Sequence, residues 1–334
     1  MAESDKNEIF MSPAPHVVTP VNTKELMFHV IIALTPIALY GIYLFSIPAL
    51  IRLAVSVLCC VGFEALFRFI CYKAVRIKDC SAIVTGLLLA MVVPPTVPVW
   101  MLILGSFFAI VVAKEFFGGL GANPFNPALA GRAFMFISFS KAMTSWVSPE
   151  NSLLDAMGSA SPLSMINIKE GVVLSASQIA DKLDLGSSLV LYRQLFLGDH
   201  AGCIGETSTF LILLGFIYLI VKKVIDWKTP AAMIITTVGI TAIAGIDPLL
   251  TLMSGGLMFG AVFMATDYTT SPVTPKGKIT FGIGCGLITA LIRLFSGMPE
   301  GVMYSILIMN AVVPFLDKLI KRKYGYVKPQ KKSV

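Results

Sequence analysis

Residues 85–98 read TGLLLAMVVPPTVP, and residues 255–275 read GGLMFGAVFMATDYTTSPVTP. Each is an apolar, glycine-containing stretch that runs into a break rich in threonine and proline. A run of this kind is too apolar for a surface and too interrupted for an ordinary core helix. In lipid the backbone must pair internally, so apolar spans are helices. Broken helices are tolerated there only where they line a cavity or are buried in protein. These two stretches therefore point to a helical membrane protein with a site built at its breaks.

Working outward, apolar blocks fill most of the chain. Crossing a hydrocarbon core of ~30 Å takes about 20 helical residues. Such blocks lie at about 25–45, 47–70, 81–93, 98–117 and 127–140, then at about 207–225, 229–246, 248–266, 278–295 and 300–320. Between the two sets runs a polar segment, 141–206. The expected fold is thus an all-α integral membrane protein of ten transmembrane helices. Its parts are a polar segment 1–24, a first five-helix repeat 25–140, an external loop 141–206, a second repeat 207–320 and a basic tail 321–334. Five helices per half is an odd number, so the halves run in opposite directions, as inverted repeats do. The stretches 85–98 and 255–275 occupy the same place in each half.

Composition agrees. Of 334 residues 56% are hydrophobic and 13% charged, and the mean hydropathy is +0.82. A soluble domain usually carries about 25% charged residues. The net charge of +7 does not point to nucleic acid, because the basic residues sit in short loops beside apolar blocks. With the N-terminus inside, the inner loops hold Lys73, Arg76, Lys78, Lys222, Lys223, Lys228, Lys276 and Lys278, and the tail adds six more from Lys321 to Lys332. The outer connections PPTVP, GIDP and FSGMPEG hold no lysine or arginine. This asymmetry predicts both termini in the cytoplasm and segment 141–206 outside. The first 24 residues contain no apolar signal core. Six cysteines, Cys59, Cys60, Cys71, Cys80, Cys203 and Cys285, show no metal-ligand spacing.

Ionisable residues inside spans are functional suspects. Glu64 and Arg68 lie four apart, in the order that favours an intrahelical pair, and are read as a self-neutralised structural pair. Arg52 is read as reaching the outer surface. Lys114 and Glu115 open FFGGLGANPFNPALAGR, 116–132, where four glycines and two Asn-Pro steps exclude an ordinary span. Two readings stand: a tight inner loop, or a re-entrant turn lining a cofactor or ion path, with Asn123 and Asn126 on it and Arg132 facing inward. Residues 266–278, TDYTTSPVTPKGK, pose the same choice, with Thr266 and Asp267 at the front. Within the polar segment, Asp155 to Leu163 form a small-residue stretch with hydroxyls. Glu206, Thr207 and Ser208 suit a helix cap.

Together SPAPHV (12–17), TGLLLAMVVPPTVP (85–98), KEFFGGLGANPFNPALAGRAF (114–134), FLGDHAGCIGETS (196–208), MATDYTTSPVTPKGK (264–278), IRLFSGMPEG (292–301) and MNAVVPFLD (309–317) resemble one family. It is the RnfD family, named for a membrane component of the Rnf electron-transport complex and related to NqrB of the sodium-pumping NADH:quinone reductase. The resemblance implies a membrane flavoprotein whose FMN is joined through its phosphate to a hydroxyl residue of the external loop by a flavin transferase. The family pattern there is an Asp, then Gly-Ala-Thr. Asp155 and Ala160 match it, Ser161 stands at the acceptor position, and Ser159 replaces the glycine and is a competing acceptor. A second, non-covalent flavin, riboflavin, is implied near the 116–132 and 264–278 turns. Pro162-Leu163 and the short front end favour the Rnf pattern over the quinone-reductase one.

The implied function is one component of a ferredoxin:NAD oxidoreductase that couples electron flow to Na⁺ or H⁺ movement across the bacterial inner membrane. No catalytic residue and no metal site is expected on this chain. It lacks a strand-linked nucleotide glycine motif and an iron–sulfur cysteine set, so partner proteins of the Rnf A, B, C, E and G types must supply that chemistry. Two alternatives are an NqrB-type component of the quinone reductase and a non-redox inverted-repeat channel for small solutes.

Overall fold

The computed structural model describes residues 22–71, 79–146, 176–182, 187–296 and 301–320. The described residues form helices and connecting turns, with no strand among them. α1 runs Thr23–Ile70 but is broken at Ser46, whose φ of 53° and ψ of −142° leave the helical region. A positive φ is uncommon away from glycine. With Pro48 two residues on, it divides α1 into two arms, where the sequence reading parts its first two spans.

α2 (Ser81–Met91) ends before the Pro94-Pro95 step. α3 (Val99–Phe107) continues as a π-helical segment, Phe108–Glu115. α4 (Pro127–Ser138) and the short α5 (Ser140–Met143) follow. α6 (Ala176–Lys182) and α7 (Ser188–Leu197) lie within the segment expected to be a polar loop. They bury Ile179, Ala180, Leu191 and Leu195 against Leu250. The rest comprises α8 (Thr209–Val221), α9 (Lys228–Ile243), α10 (Pro248–Met253), α11 (Leu257–Phe259) with its π-helical continuation Gly260–Met264, α12 (Pro275–Phe295) and α13 (Val302–Ile320). The expected continuous span 248–266 is therefore two short helices joined through Ser254 to Gly256.

Local chemistry explains the starts. α4, α10 and α12 each open with proline, whose missing N–H costs nothing at the first helical position. Each is capped by the residue before it. Asn126 accepts from Ala128 and Leu129, Asp247 from Leu249 and Leu250, and Thr274 from Gly277. Ser208 caps α8 by accepting from the Leu211 N–H. α9 and α12 pack closely through glycine. A side chain at Gly282 would meet the Thr229 carbonyl at 2.6 Å, and one at Gly286 the Met233 carbonyl at 2.6 Å. Small residues at such seams allow backbones to touch.

The distribution of polarity is that of a membrane protein. Ile243 is 90% exposed, Phe69 74% and Ile137 74%, while Lys114, Glu64, Glu115, Asn126 and Arg132 are buried. Large apolar side chains stand exposed along α1, α8 and α12 as well, and intramembrane ionisable groups face the protein interior. Among the described residues two helices, Thr23–Ile70 and Pro275–Phe295, are long and apolar enough to cross a bilayer by length and composition.

Segments 1–21 and 321–334 lie outside the described residues, as do Lys73, Arg76 and Lys78. So do Asp155, Ser159, Ala160 and Ser161.

Candidate functional site

The π-helical segment at the end of α3 carries two adjacent charges inward. Its widened turn is seen where the Phe116 N–H donates to the Val111 carbonyl at 3.0 Å, five residues back. π turns concentrate at functional sites. Lys114 and Glu115 are each 1% exposed. The Lys114 ammonium donates to Glu64 Oε2 at 2.8 Å and to Ser81 Oγ at 2.7 Å. Arg68 pairs with Glu115 at 3.0 Å and with Glu64 at 3.5 Å. The expected self-contained Glu64–Arg68 pair is thus the longest contact of a four-charge network joining α1 to the π segment. Spacing within one helix identifies neighbours on that helix, not the partners that packing supplies.

The chain then turns through Gly118, Gly119 and Gly121, with φ of 116°, 93° and 97°. Gly119 lies over the network. A side chain there would meet Arg68 Nη2 at 2.8 Å. Beyond it, Asn123 donates to the Phe125 carbonyl at 3.1 Å and to Thr269 Oγ1 at 3.0 Å. Asn126 donates to the Met264 carbonyl at 3.3 Å. With its amide oriented by its hydrogen bonds, Asn310 of α13 donates to the Thr270 carbonyl and accepts from the Asn126 N–H, both at 3.1 Å.

The second turn is organised by Asp267, whose Oδ2 accepts from Thr269 Oγ1 at 2.9 Å and Thr270 Oγ1 at 3.0 Å. Thr266 donates to the Val262 carbonyl at 2.5 Å. Tyr268 donates to the Val224 carbonyl.

Between the turns lies a cleft. Lys114, Asn123, Asn126, Thr266, Asp267 and Thr269 supply its polar lining, and Leu88, Val262 and Phe263 belong to its apolar walls. Cofactor pockets are mostly apolar with a few placed polar groups. The structure thus brings Asn123, Asn126, Thr266 and Asp267 to one cleft. It does not bring Arg132 there. Arg132 is buried, as expected, but its Nη2 lies 3.7 Å from Cys203 Sγ and 4.0 Å from Glu206 Oε1. It sits six residues along α4 from Asn126, on the order of 9 Å at the α-helical rise. Lys114, Ser81 and Thr85 line the cleft without having been singled out for it by sequence. The signal was the adjacent pair Lys114-Glu115, two charges side by side at the end of an apolar run.

A second cavity adjoins the cleft, sharing Ile225, Thr266 and Tyr268 with it and adding Asp226 and Lys278. Burial raises the Asp226 carboxyl, but hydrogen bonds from Lys228 and the charges of Lys278 and Lys228 outweigh this and hold it below the usual carboxylate range.

Residues 10–325 match the model of a single protein family. The chain belongs to the NQR2, RnfD, RnfE family. Among its relatives is the D component of the proton-translocating ferredoxin:NAD(+) oxidoreductase complex of Clostridium ljungdahlii. This chain is 44% identical to it over 333 residues, covering 97% of this chain and 98% of the relative. The D component of the Na(+)-translocating ferredoxin:NAD(+) oxidoreductase complex of Acetobacterium woodii is 40% identical over 324 residues, 97% of each chain. The D component of an ion-translocating oxidoreductase complex from Methanosarcina acetivorans is 34% identical over 319 residues, 95% of this chain and 97% of the relative.

Proposed function

We propose that this chain is the RnfD component of an ion-translocating ferredoxin:NAD oxidoreductase complex, carrying electrons through the membrane on two flavins. Near-full-length similarity to the D components of such complexes supports the assignment. The observation that carries the chemistry is the cleft, where two irregular turns far apart in sequence meet around apolar walls and a small polar set.

The donor set fits a non-covalent flavin. An isoalloxazine needs apolar faces for its rings and hydrogen-bonding groups at its edge. Leu88, Val262 and Phe263 offer the first, and Asn123, Thr269 and Lys114 the second. A flavin bound there supplies electron transfer. The chain's own residues hold the ring edge, keep bulk water out and fix the spacing of the two turns through Asn123 and Asn126.

The second flavin, FMN, is joined through its phosphate to Ser161, with Ser159 the neighbouring competitor. A flavin transferase makes the bond on the outer face. The helices form ten spans in two inverted five-helix halves in the bacterial inner membrane, with both termini cytoplasmic. Support comes from the basic inner loops, the break at Ser46 and the outward apolar surface. Partner proteins of the Rnf A, B, C, E and G types contribute the nicotinamide and iron–sulfur chemistry.

The test is flavin content. Purified chain, denatured and run on a gel, retains fluorescence from the esterified FMN, and acid extraction releases a second flavin. A colourless protein refutes the reading.

A further inference from the structure

Four charges are buried at and behind the cleft, and of these the flavin reading uses only Lys114, as a hydrogen-bond donor. Glu64, Lys114 and Glu115 are each 1% exposed and Arg68 is 5%. Burying a paired network gives little net stability compared with apolar residues of the same volume. Its position is therefore more informative than its bonding. Three elements meet in it: α1 through Glu64 and Arg68, α2 through Ser81, and the π segment through Lys114 and Glu115. Of these charged groups only Lys114 also lines the cleft. An ammonium has three donors. Glu64 and Ser81 take two, and among the described residues no hydrogen bond occupies the third.

We propose that Lys114 is a positioning residue that sets the reduction potential of the ring held in the cleft. The inference rests on the flavin reading of that cleft. Adding electrons to a ring makes it more negative, so a fixed cation in a poorly screened interior stabilises the reduced form over the oxidised one. Glu64, directly behind the ammonium, opposes that field, and Arg68 and Glu115 balance each other further out. Across the cleft, Asp267 is the opposing carboxylate, held by Thr269 and Thr270. Lys114 and Glu64 therefore act on the ring with opposite sign. Removing the ammonium takes away its positive contribution and leaves the Glu64 field unbalanced, so the potential falls. Neutralising Glu64 removes the negative charge behind the ammonium and raises the potential.

The experiment uses the full chain produced in a host lacking flavin transferase, so that acid-releasable flavin is the only flavin present. Its midpoint potential is measured by spectroelectrochemical titration in wild type, Lys114→Gln, Lys114→Arg and Glu64→Gln. The expected result is a shift to more negative potential in K114Q, to more positive in E64Q, and none in K114R. Should K114Q release its flavin, E64Q decides alone, because it keeps the ammonium. Flavin-loaded variants with wild-type potentials, or shifts of one sign in both, overturn the inference while leaving the cleft a flavin site. A wild-type chain that yields no acid-releasable flavin overturns the reading of the cleft and the inference together.

Discussion

The Asn123 amide donates to the Thr269 hydroxyl across 3.0 Å, tying together two turns 146 residues apart in sequence. The same amide donates to the Phe125 carbonyl, and its oxygen accepts from the Gly121 N–H. One side chain thus fixes the first turn and docks it on the second. Replacing it with alanine strands several partners at once, at a cost of about 1–3 kcal/mol for each left buried and unpaired. Asn123→Ala should lower the melting temperature in detergent and reduce the acid-releasable flavin per chain. Thr269→Val, which removes fewer bonds, should do so more mildly. Equal flavin retention in both variants and wild type would count against the docking role.

Gly119 tests the geometry of the charge network. Its φ of 93° lies in the left-handed region, and a side chain would meet Arg68 Nη2 at 2.8 Å. The backbone term alone costs about 1–2 kcal/mol for alanine. Gly62, in the second arm of α1, has nothing within 4 Å of the equivalent position. Gly119→Ala should destabilise markedly and Gly62→Ala should not, by thermal unfolding in the same detergent.

Flavin attachment has a direct chemical readout. Ser161→Ala should abolish gel fluorescence without changing the yield of folded chain, and the wild-type tryptic peptide should carry the FMN mass on Ser161. A label on Ser159 would move the acceptor by two residues and leave the family assignment intact.

Sidedness is tested by reporters. A phosphatase fused within 141–206 should be active outside, and one fused at the Lys222-Lys223 turn should be silent. The opposite pattern would invert the orientation and remove the flavin ester from the outer face.

Acid should weaken the α8–α9 turn. The Asp226 carboxyl lies below its ordinary value when folded, so its contribution is present above about pH 4, the unfolded carboxylate range, and is lost as pH falls through the lower folded value. Asp226 and its partners are partly exposed, so the effect is modest. The melting temperature should drop less steeply between about pH 6 and pH 3, a window spanning that range, in Asp226→Asn than in wild type.

Much of this architecture was legible because proline, asparagine and glycine act locally. The Asn126-Pro127 step marks a helix start by chemistry confined to three residues, and so does Asp247-Pro248, whereas the start at Pro275 lies ahead of the expected 278. The break at Ser46 falls at the boundary between the apolar blocks 25–45 and 47–70. Packing-dependent features were not legible. Nothing in spacing tells Glu64 to pair with Lys114, 50 residues away, or sends Arg132 to Cys203 and Glu206 rather than to the cleft. α6 and α7 were missed because they are short, and their apolar residues find partners only when Leu250 arrives from another part of the chain.

The seam of Gly282 and Gly286 against the Thr229 and Met233 carbonyls leaves no room for slippage. Thr237 stitches it further by donating to the Gly286 carbonyl at 3.2 Å. These two helices must therefore travel as one rigid beam. Any rearrangement would then fall at their ends, where the Asp226 turn borders the cavity beside the cleft.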